Sequence, residues 1–439
     1  MAGSFINTIM KGLATSMGAR VVTMGMRFVT LCLLPIWIAP NVIGYAAVLM
    51  ATTNLIVTLS DMGFGTALVK NKTCPQKMYQ SVFTLTMALG ALIALGLILG
   101  APLFENVFQV PAYLVIIAAF AIPVSSLTIV PNALLHRELK FAGLAFRDFL
   151  GELAFSGTAI GLALARYSEL AVPCALVAQR FVRWLSATCT VNWRPALKLD
   201  KSSIAELFKF SMYQFGNTSL SQLANRLDTF LLSVFLSPTS LGFYAQGQQL
   251  STSPMEALSS AMRNVLFASF SKVQNDEKQL HALFVKLMKY LIVASFVAAA
   301  CFYPALGLIP IVYDPSWAPS VEIGRILCFS IPLYAMMSIE GILITVGGEK
   351  RRLVTTLTRT CIMTVGICAL FGGFPSCASS KSIAWLVLVS MTVSVILNLS
   401  YLMPYFHITR QDARQWAMPA LASAVIMALS ILMTNVFGG

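Results

Sequence analysis

Charge is what this sequence has least of. Asp, Glu, Lys and Arg make up 11% of its 439 residues, less than half of the roughly 25% typical of soluble domains. Histidine is nearly missing, with His136, His281 and His407 the only three, and the nine cysteines form no C-x-x-C pair. Neither a zinc site nor a disulfide framework has material here. There is no P-loop, no G-x-S-x-G and no H-E-x-x-H, so hydrolytic and metalloenzyme chemistry lack their usual groups. No cofactor and no metal are expected. Without a Walker motif, energy for any transport must come from an ion gradient, the membrane potential or the substrate's own gradient.

What is abundant is apolar surface. Hydrophobic residues reach 57% and mean hydropathy is +0.78, more than a soluble fold can bury. The expectation is an all-α, polytopic membrane protein. A bilayer crossing needs about 20 mostly apolar residues, and scanning at that length gives thirteen spans, with twelve or fourteen as the neighbouring counts. They lie near 13–38, 41–66, 78–103, 111–135, 144–165, 170–191, 208–237, 240–262, 284–312, 320–347, 352–374, 382–404 and 415–436. Residues 1–11 lead into the first span with no short apolar core and cleavage site, so no cleaved signal peptide is expected.

The loops then sort the basic residues. Alternate loops collect 22 of the 30 Lys and Arg on one side, including Arg180, Arg183, Arg194, Lys198 and Lys201, against Arg166 and Lys381 on the other. By the positive-inside rule the N-terminus is cytoplasmic. The formal charge of +13 is therefore mainly topology, and no nucleic-acid partner is expected. An odd span count would put the C-terminus outside.

An internal repeat is visible. Pro40 with Gly44 follows the first span, and Pro238 with Gly242 follows the seventh, 198 residues later. Each Pro is expected to end one helix and each Gly to permit a tight reversal. Six spans separate the copies, so the repeat is parallel about an axis along the membrane normal. The expected layout is an N-terminal lobe (1–191), a cytoplasmic linker (192–206), a C-terminal lobe (207–405) and an additional span (406–439), the lobes being pseudo-symmetric with six helices each.

Six basic residues fall inside spans: Arg20, Arg27, Lys209, Arg226, Arg325 and Arg359. A charge there costs at least ~2.5 kcal/mol, so it must face a wet cavity or a partner. Arg27 stands 13 residues before Pro40 and Arg226 stands 12 before Pro238, near-equivalent positions at mid-depth. Arg20 is one heptad before Arg27, on roughly the same face. Guanidinium groups lining a cleft suit an anionic substrate, because the planar fork pairs bidentately with phosphate. The structural alternative pairs these arginines with Asp61, Asp148, Glu152, Glu256 or Glu340 as helix glue. Asp228 is two residues from Arg226, faces nearly the opposite way, and must find another partner. Asp148 and Glu152, at i and i+4, share a helix face and could hold a Na⁺ or a proton; Asp148 beside Arg147 favours a salt bridge within the lobe.

Several segments resemble a known group. Tyr213-Gln214-Phe215-Gly216, the run Asn225-Arg226-Leu227-Asp228-Thr229-Phe230-Leu231-Leu232, Leu241-Gly242-Phe243-Tyr244 and Leu266 to Gln274 are similar to the polysaccharide transport family of bacterial lipid-linked oligosaccharide flippases, in their colanic-acid-exporter-like form. Ser60-Asp61-Met62-Gly63-Phe64-Gly65, Ala67 to Lys70, and Tyr313-Asp314-Pro315-Ser316-Trp317-Ala318-Pro319 add to the resemblance. It implies the multidrug/oligosaccharidyl-lipid/polysaccharide exporter superfamily, a central V-shaped cavity and a bacterial inner-membrane location. It also implies flipping of an undecaprenyl-diphosphate-linked oligosaccharide from the cytoplasmic to the periplasmic leaflet. On that reading the protein is not an enzyme, and its partners are the lipid-linked substrate, membrane lipids and a polysaccharide polymerase or export machinery. Arg27 and Arg226 would hold the diphosphate with Arg20 as entry contact, while Asn225, Gln214 and Gln222 would hydrogen-bond the glycan. Asp61, Asp148, Glu152 and Asp228 remain for ion coupling or salt bridges.

Rival readings are a peptidoglycan-precursor flippase or a multidrug exporter of the same superfamily, and, from another class, a membrane glycosyltransferase or polymerase. A drug exporter favours acidic and aromatic groups for cationic compounds, whereas the mid-span charges here are basic. Membrane glycosyltransferases usually carry a large extramembrane loop, which this chain lacks.

Overall fold

The computed structural model describes residues 18–19, 21–71, 74–251, 277–337, 358, 360–362, 364–369, 371–372, 379–405 and 428, and among them regular structure is helical throughout. The expected all-α class and polytopic character hold. Among the described residues five helices are long and apolar enough to cross a membrane, or six if a bent pair counts as one span. The count of thirteen is not reached within them, and the proposed span at 415–436 lies outside them apart from residue 428. Chain contacts divide the protein into two compact units, Met1–Pro238 and Thr239–Gly439.

In the first unit, α1 (residues 21–33) is followed by α2 (Pro40–Asp61). Pro40 sits in the first turn of α2 after an extended Ala39, where its missing N–H has no helical partner to lose. Gly44 lies inside α2 and is buried, and Gly242 lies inside the helix that starts at residue 238. The expectation that these glycines form reversals is therefore corrected: the proline starts the second helix, and the glycine is a small packing residue one turn in. The real reversal is at the far end of α2, where Met62 (φ 46°) and Gly63 (φ 74°) turn left-handed and lead into α3 (Phe64–Lys70).

Helix α4 (Gln76–Leu99) follows, then α5 (Ala101–Phe108). The next span, Ala112–Arg137, is built of α6 (Ala112–Ala119), α7 (Ala121–Leu127) and α8 (Ile129–Arg137). The breaks have a local cause. Pro123 and Pro131 each crowd the carbonyl four residues earlier, those of Ala119 and Leu127, where α6 and α7 end. Helices α9 (Phe141–Leu164) and α10 (Ser168–Thr190) pack along each other, and a connection without helix, 191–200, leads to α11 (Lys201–Phe235), 35 residues long.

The surface is apolar as no soluble protein's is, and the apolar interior also takes in polar groups. Leu92, Leu95, Leu99, Leu103 and Leu153 are exposed, while Ser81, Thr86, Ser125, Ser126, Glu152 and Gln179 are buried. Lipid is the solvent for the first set, and polar groups gather inside, where they can pair.

The second unit contains α12 (residues 238–251), α13 (Glu277–Ala305), α14 (Ile309–Val312), α15 (Ala318–Cys328), α16 (Ser330–Met337) and α17 (Ser380–Tyr405). Trp317 is 1% exposed, edge-on to Phe243 at 5.9 Å and to Tyr313 at 6.1 Å. Asp314 caps the turn before it by accepting from the Ser316 backbone N–H at 2.8 Å, which holds its carboxyl below the usual carboxylate range. The tryptophan-containing segment Tyr313 to Pro319 is thus a packed corner. Gly247 on α12 lets the backbone of α15 come close, since a Cβ there would stand 2.9 Å from the Ser320 carbonyl oxygen and 3.0 Å from the Gly324 nitrogen.

Candidate functional site

The charge of the first unit concentrates where α1, α2, α9 and α10 meet. Arg180 and Arg183 lie within α10, ten and seven residues from its end at Thr190, or about 15 and 10 Å along the axis at 1.5 Å per residue. Counting them as cytoplasmic loop charges was wrong, because both lie inside a helix, as do Arg147, Lys286 and Lys289 of the same tally. The signal was in the sequence: the span limits 170–191 already enclosed both residues, and the loop count overrode them.

Arg183 spans the gap to α9. A Cβ on Gly151 would stand 2.6 Å from its Nε and 3.0 Å from its Cδ, so the side chain crosses α9 where that helix has no side chain of its own. Its guanidinium is 3.8 Å from Asp148 and 3.8 Å from Glu152. Those carboxylates flank Gly151 at i−3 and i+1, so the face shared by Asp148 and Glu152 is also the face Arg183 covers. Asp148 is held at 2.7 Å by Arg147, which also donates to Asn132. Glu152 is 2% exposed and accepts from Gln179 at 2.9 Å. Arg180 donates to the side-chain amide oxygen of Asn54 on α2 at 2.8 Å.

Helix α1 is registered on α9 by a buried hydrogen bond from Thr30 to Ser156 at 2.7 Å. One turn earlier, Arg27 stacks over the Phe155 ring with 5.5 Å to the centroid. It lies near enough to Glu152, Arg180 and Arg183 to bear on their charges. Among the described residues no carboxylate reaches ion-pair distance of Arg27.

Of the other expected site residues, Gln214 and Gln222 are half-buried on α11, and Gln214 donates to Thr218 at 3.2 Å. Arg20, Arg359, Glu256 and Glu340 lie outside the described residues, as do the side chains of Asn225, Arg226 and Asp228. Among the described residues Asp61 has no ion-pair partner; its carboxylate accepts from the Gly65 backbone N–H at 3.0 Å, in the first turn of α3. Arg325 stacks on Tyr303 with 5.4 Å to the centroid.

A second feature was not anticipated. The elbow between α2 and α3 packs on α11 backbone to backbone: Ser211 donates its hydroxyl to the Met62 carbonyl. A Cβ on Gly63 would stand 2.6 Å from the Ser211 carbonyl oxygen and 3.0 Å from the Phe215 nitrogen. Nearby, Asn71 donates to Glu206 at 3.0 Å and Lys70 stacks on Phe210 at 4.4 Å. The connection 191–200 is likewise anchored along α4. Trp193 meets Phe83 edge-on at 5.4 Å, the Lys198 and Thr84 groups pair at 3.1 Å, and the Asp200 N–H donates to Ser81 at 2.8 Å. Asp200 then caps α11, accepting from the hydroxyls of Ser203 and Ser202, which hold its carboxyl below the usual range.

Comparison with known proteins agrees with this architecture. The chain is 22% identical over 324 residues to the lipopolysaccharide biosynthesis protein WzxC of Escherichia coli, covering 71% of this chain and 64% of that one. It is 22% identical over 326 residues to the succinoglycan biosynthesis transport protein ExoT of Rhizobium meliloti, covering 74% and 66%. Each match thus spans just under two thirds of the relative's own length. Among solved structures, the lipid II flippase MurJ in an inward closed conformation superposes with a TM-score of 0.78 at 11% identity, covering 94% of this chain and 92% of that one. An inward-facing multidrug resistance transporter of the MOP superfamily superposes at 0.65 and 15%, covering 93% and 98%. The two superpositions show that the chain shares the fold of those multi-pass membrane proteins. A model of the family described as polysaccharide biosynthesis protein matches residues 37–322, well over half of the chain, and the protein belongs to that family.

Proposed function

We propose that this protein flips an undecaprenyl-diphosphate-linked oligosaccharide from the cytoplasmic to the periplasmic leaflet of a bacterial inner membrane, by alternating access. Such a lipid cannot cross unaided, because its sugar hydroxyls and phosphate charges would lose hydration in hydrocarbon. The chain acts as a transporter and performs no covalent step. Its relatives include proteins named for lipopolysaccharide, succinoglycan and teichuronic acid biosynthesis, three different polymers, which supports a shared carrier and a variable glycan. The observation that carries the reading is the excess of guanidinium groups over carboxylates where α1, α9 and α10 meet, with Arg27 free of any contact ion pair among the described residues. A multidrug exporter of cationic compounds would be poorly served by it.

In this account the N-terminus is cytoplasmic, Arg27 and Arg226 hold the diphosphate, Arg20 receives it, and Asn225, Gln214 and Gln222 bind the glycan. The lobes 1–191 and 207–405 are the moving parts, and a polysaccharide polymerase takes the product on the far side. Deletion of the gene tests this reading. Loss of surface polysaccharide, with lipid-linked repeat units accumulating on the cytoplasmic leaflet, is expected; normal polymer would contradict it.

A further inference from the structure

The connection 191–200 turns leucines outward in a place where contact with water would gain nothing from them. It has no helix of its own, yet it is fixed. Trp193 meets Phe83 edge-on at 5.4 Å, the Lys198 backbone and the Thr84 hydroxyl exchange hydrogen bonds at 3.1 Å, and the Asp200 N–H donates to Ser81 at 2.8 Å. Ser81 and Thr84 stand five and eight residues into α4, which is long and apolar enough to cross a membrane. At 1.5 Å per residue that is about 8 and 12 Å from its start, so the connection is held in the interfacial layer. The Lys198 N–H also bonds the Ala196 carbonyl at 3.1 Å, closing a three-residue turn with Leu197 at its tip. Leu197 is 67% exposed and Leu199 56%. Arg194, Lys198 and Lys201 are exposed beside them, and among the described residues none of the three has an ion-pair partner.

We propose that residues 193–201 form a lipid-binding strap: Leu197 and Leu199 insert between the acyl chains of the adjacent leaflet, while Arg194, Lys198 and Lys201 bind the headgroups of anionic phospholipids. Apolar side chains flanked by basic ones are the pattern by which amphipathic segments lie in a membrane surface, with the apolar face about 5–10 Å deep, and each basic residue near an anionic surface adds to the attraction. A soluble protein partner would have to reach below the headgroups to cover the two leucines, where lipid already stands. Because Asp200 caps α11, the strap also fixes the start of that helix relative to the leaflet. On the proposed orientation this is the cytoplasmic leaflet. The inference stands whatever lipid the protein transports.

The test uses the full chain in nanodiscs of phosphatidylcholine alone or mixed with phosphatidylglycerol, with hydrogen exchange of the stretch 193–201 read by mass spectrometry. Exchange is expected to be several-fold slower in the mixed, anionic lipid. Arg194→Gln, Lys198→Gln and Lys201→Gln together should erase that difference, and Leu197→Asn with Leu199→Asn should speed exchange in both lipids. All five side chains are exposed, so neither variant strips a packed contact. Equal exchange of the wild type in the two lipids overturns headgroup recognition, and exchange unmoved by the asparagine pair overturns insertion; either result ends the proposal. Protection present in native membranes but absent from both nanodiscs would assign this face to a protein partner and overturn it as well.

Discussion

Arg183 reaches Glu152 only because residue 151 is glycine. The side chain lies across α9 in the space a Cβ would occupy, with its Nε 2.6 Å from that position. A methyl group there forces the guanidinium outward and leaves the 2% exposed Glu152 with Gln179 as its polar contact. The spacing of Asp148 and Glu152 is thus half of a three-residue device whose centre is the absence of a side chain.

Gly151→Ala should therefore cut polysaccharide export about tenfold and lower stability by roughly 1–3 kcal/mol, the usual range for overpacking a tight contact. Complementation together with a melting curve separates the two effects. Wild-type values for both would mean that Arg183 needs no groove.

The elbow at Gly63 makes a parallel prediction of different origin. Gly63→Ala meets both a left-handed φ of 74° and the Ser211 carbonyl at 2.6 Å, so α2 and α11 must part locally. Cysteine labelling at Asn71 or Glu206, whose side chains now pair at 3.0 Å, should speed up several-fold in Gly63→Ala. Met62→Gly, at φ 46°, relieves strain and should leave labelling slow.

Much of this was legible in the sequence. The expected span starts at 41, 78 and 111 fall within two residues of the helix starts at Pro40, Gln76 and Ala112, whereas the expected end of the second span at 66 ran past the break at Met62 and Gly63. The site was legible only in part. Arg27 stood out because a lone charge in a span is costly, whereas Arg180 and Arg183 merged with the basic run Arg194, Lys198 and Lys201 and were read as loop. Gly44 misled because the sequence does not distinguish a glycine that turns a chain from one that lets helices approach. That Gly151 cradles an arginine is a three-dimensional fact with no local signature.

Asp200 gives the pH-dependent prediction. Its carboxyl is held below the usual range by the hydroxyls of Ser203 and Ser202, so its capping of α11 is complete above the unfolded value of about 3.9 and is lost as pH falls through the lower folded value. Protease sensitivity of the 191–200 connection should be flat from pH 8 to about pH 5 and rise only in stronger acid. Asp200→Ala should show the raised sensitivity at neutral pH, and Asp200→Asn much less, because Asn also caps helices well.

Trp317 anchors the second unit. Trp317→Ala removes the largest fully buried side chain among the described residues together with its edge contacts to Phe243 and Tyr313, and should destabilise by about 3–5 kcal/mol. Thermal unfolding of detergent-solubilised protein checks it.

The central claim is that guanidinium geometry within the membrane, and not positive charge alone, carries the lipid phosphate. The most direct measurement is flipping of a polyprenyl diphosphate saccharide in proteoliposomes by wild type, Arg27→Lys and Arg226→Lys. Bidentate recognition is lost in lysine, so both variants should flip at least about tenfold more slowly, one lost charge-assisted hydrogen bond being enough for that factor. Flipping by both lysine variants at the wild-type rate would contradict the account.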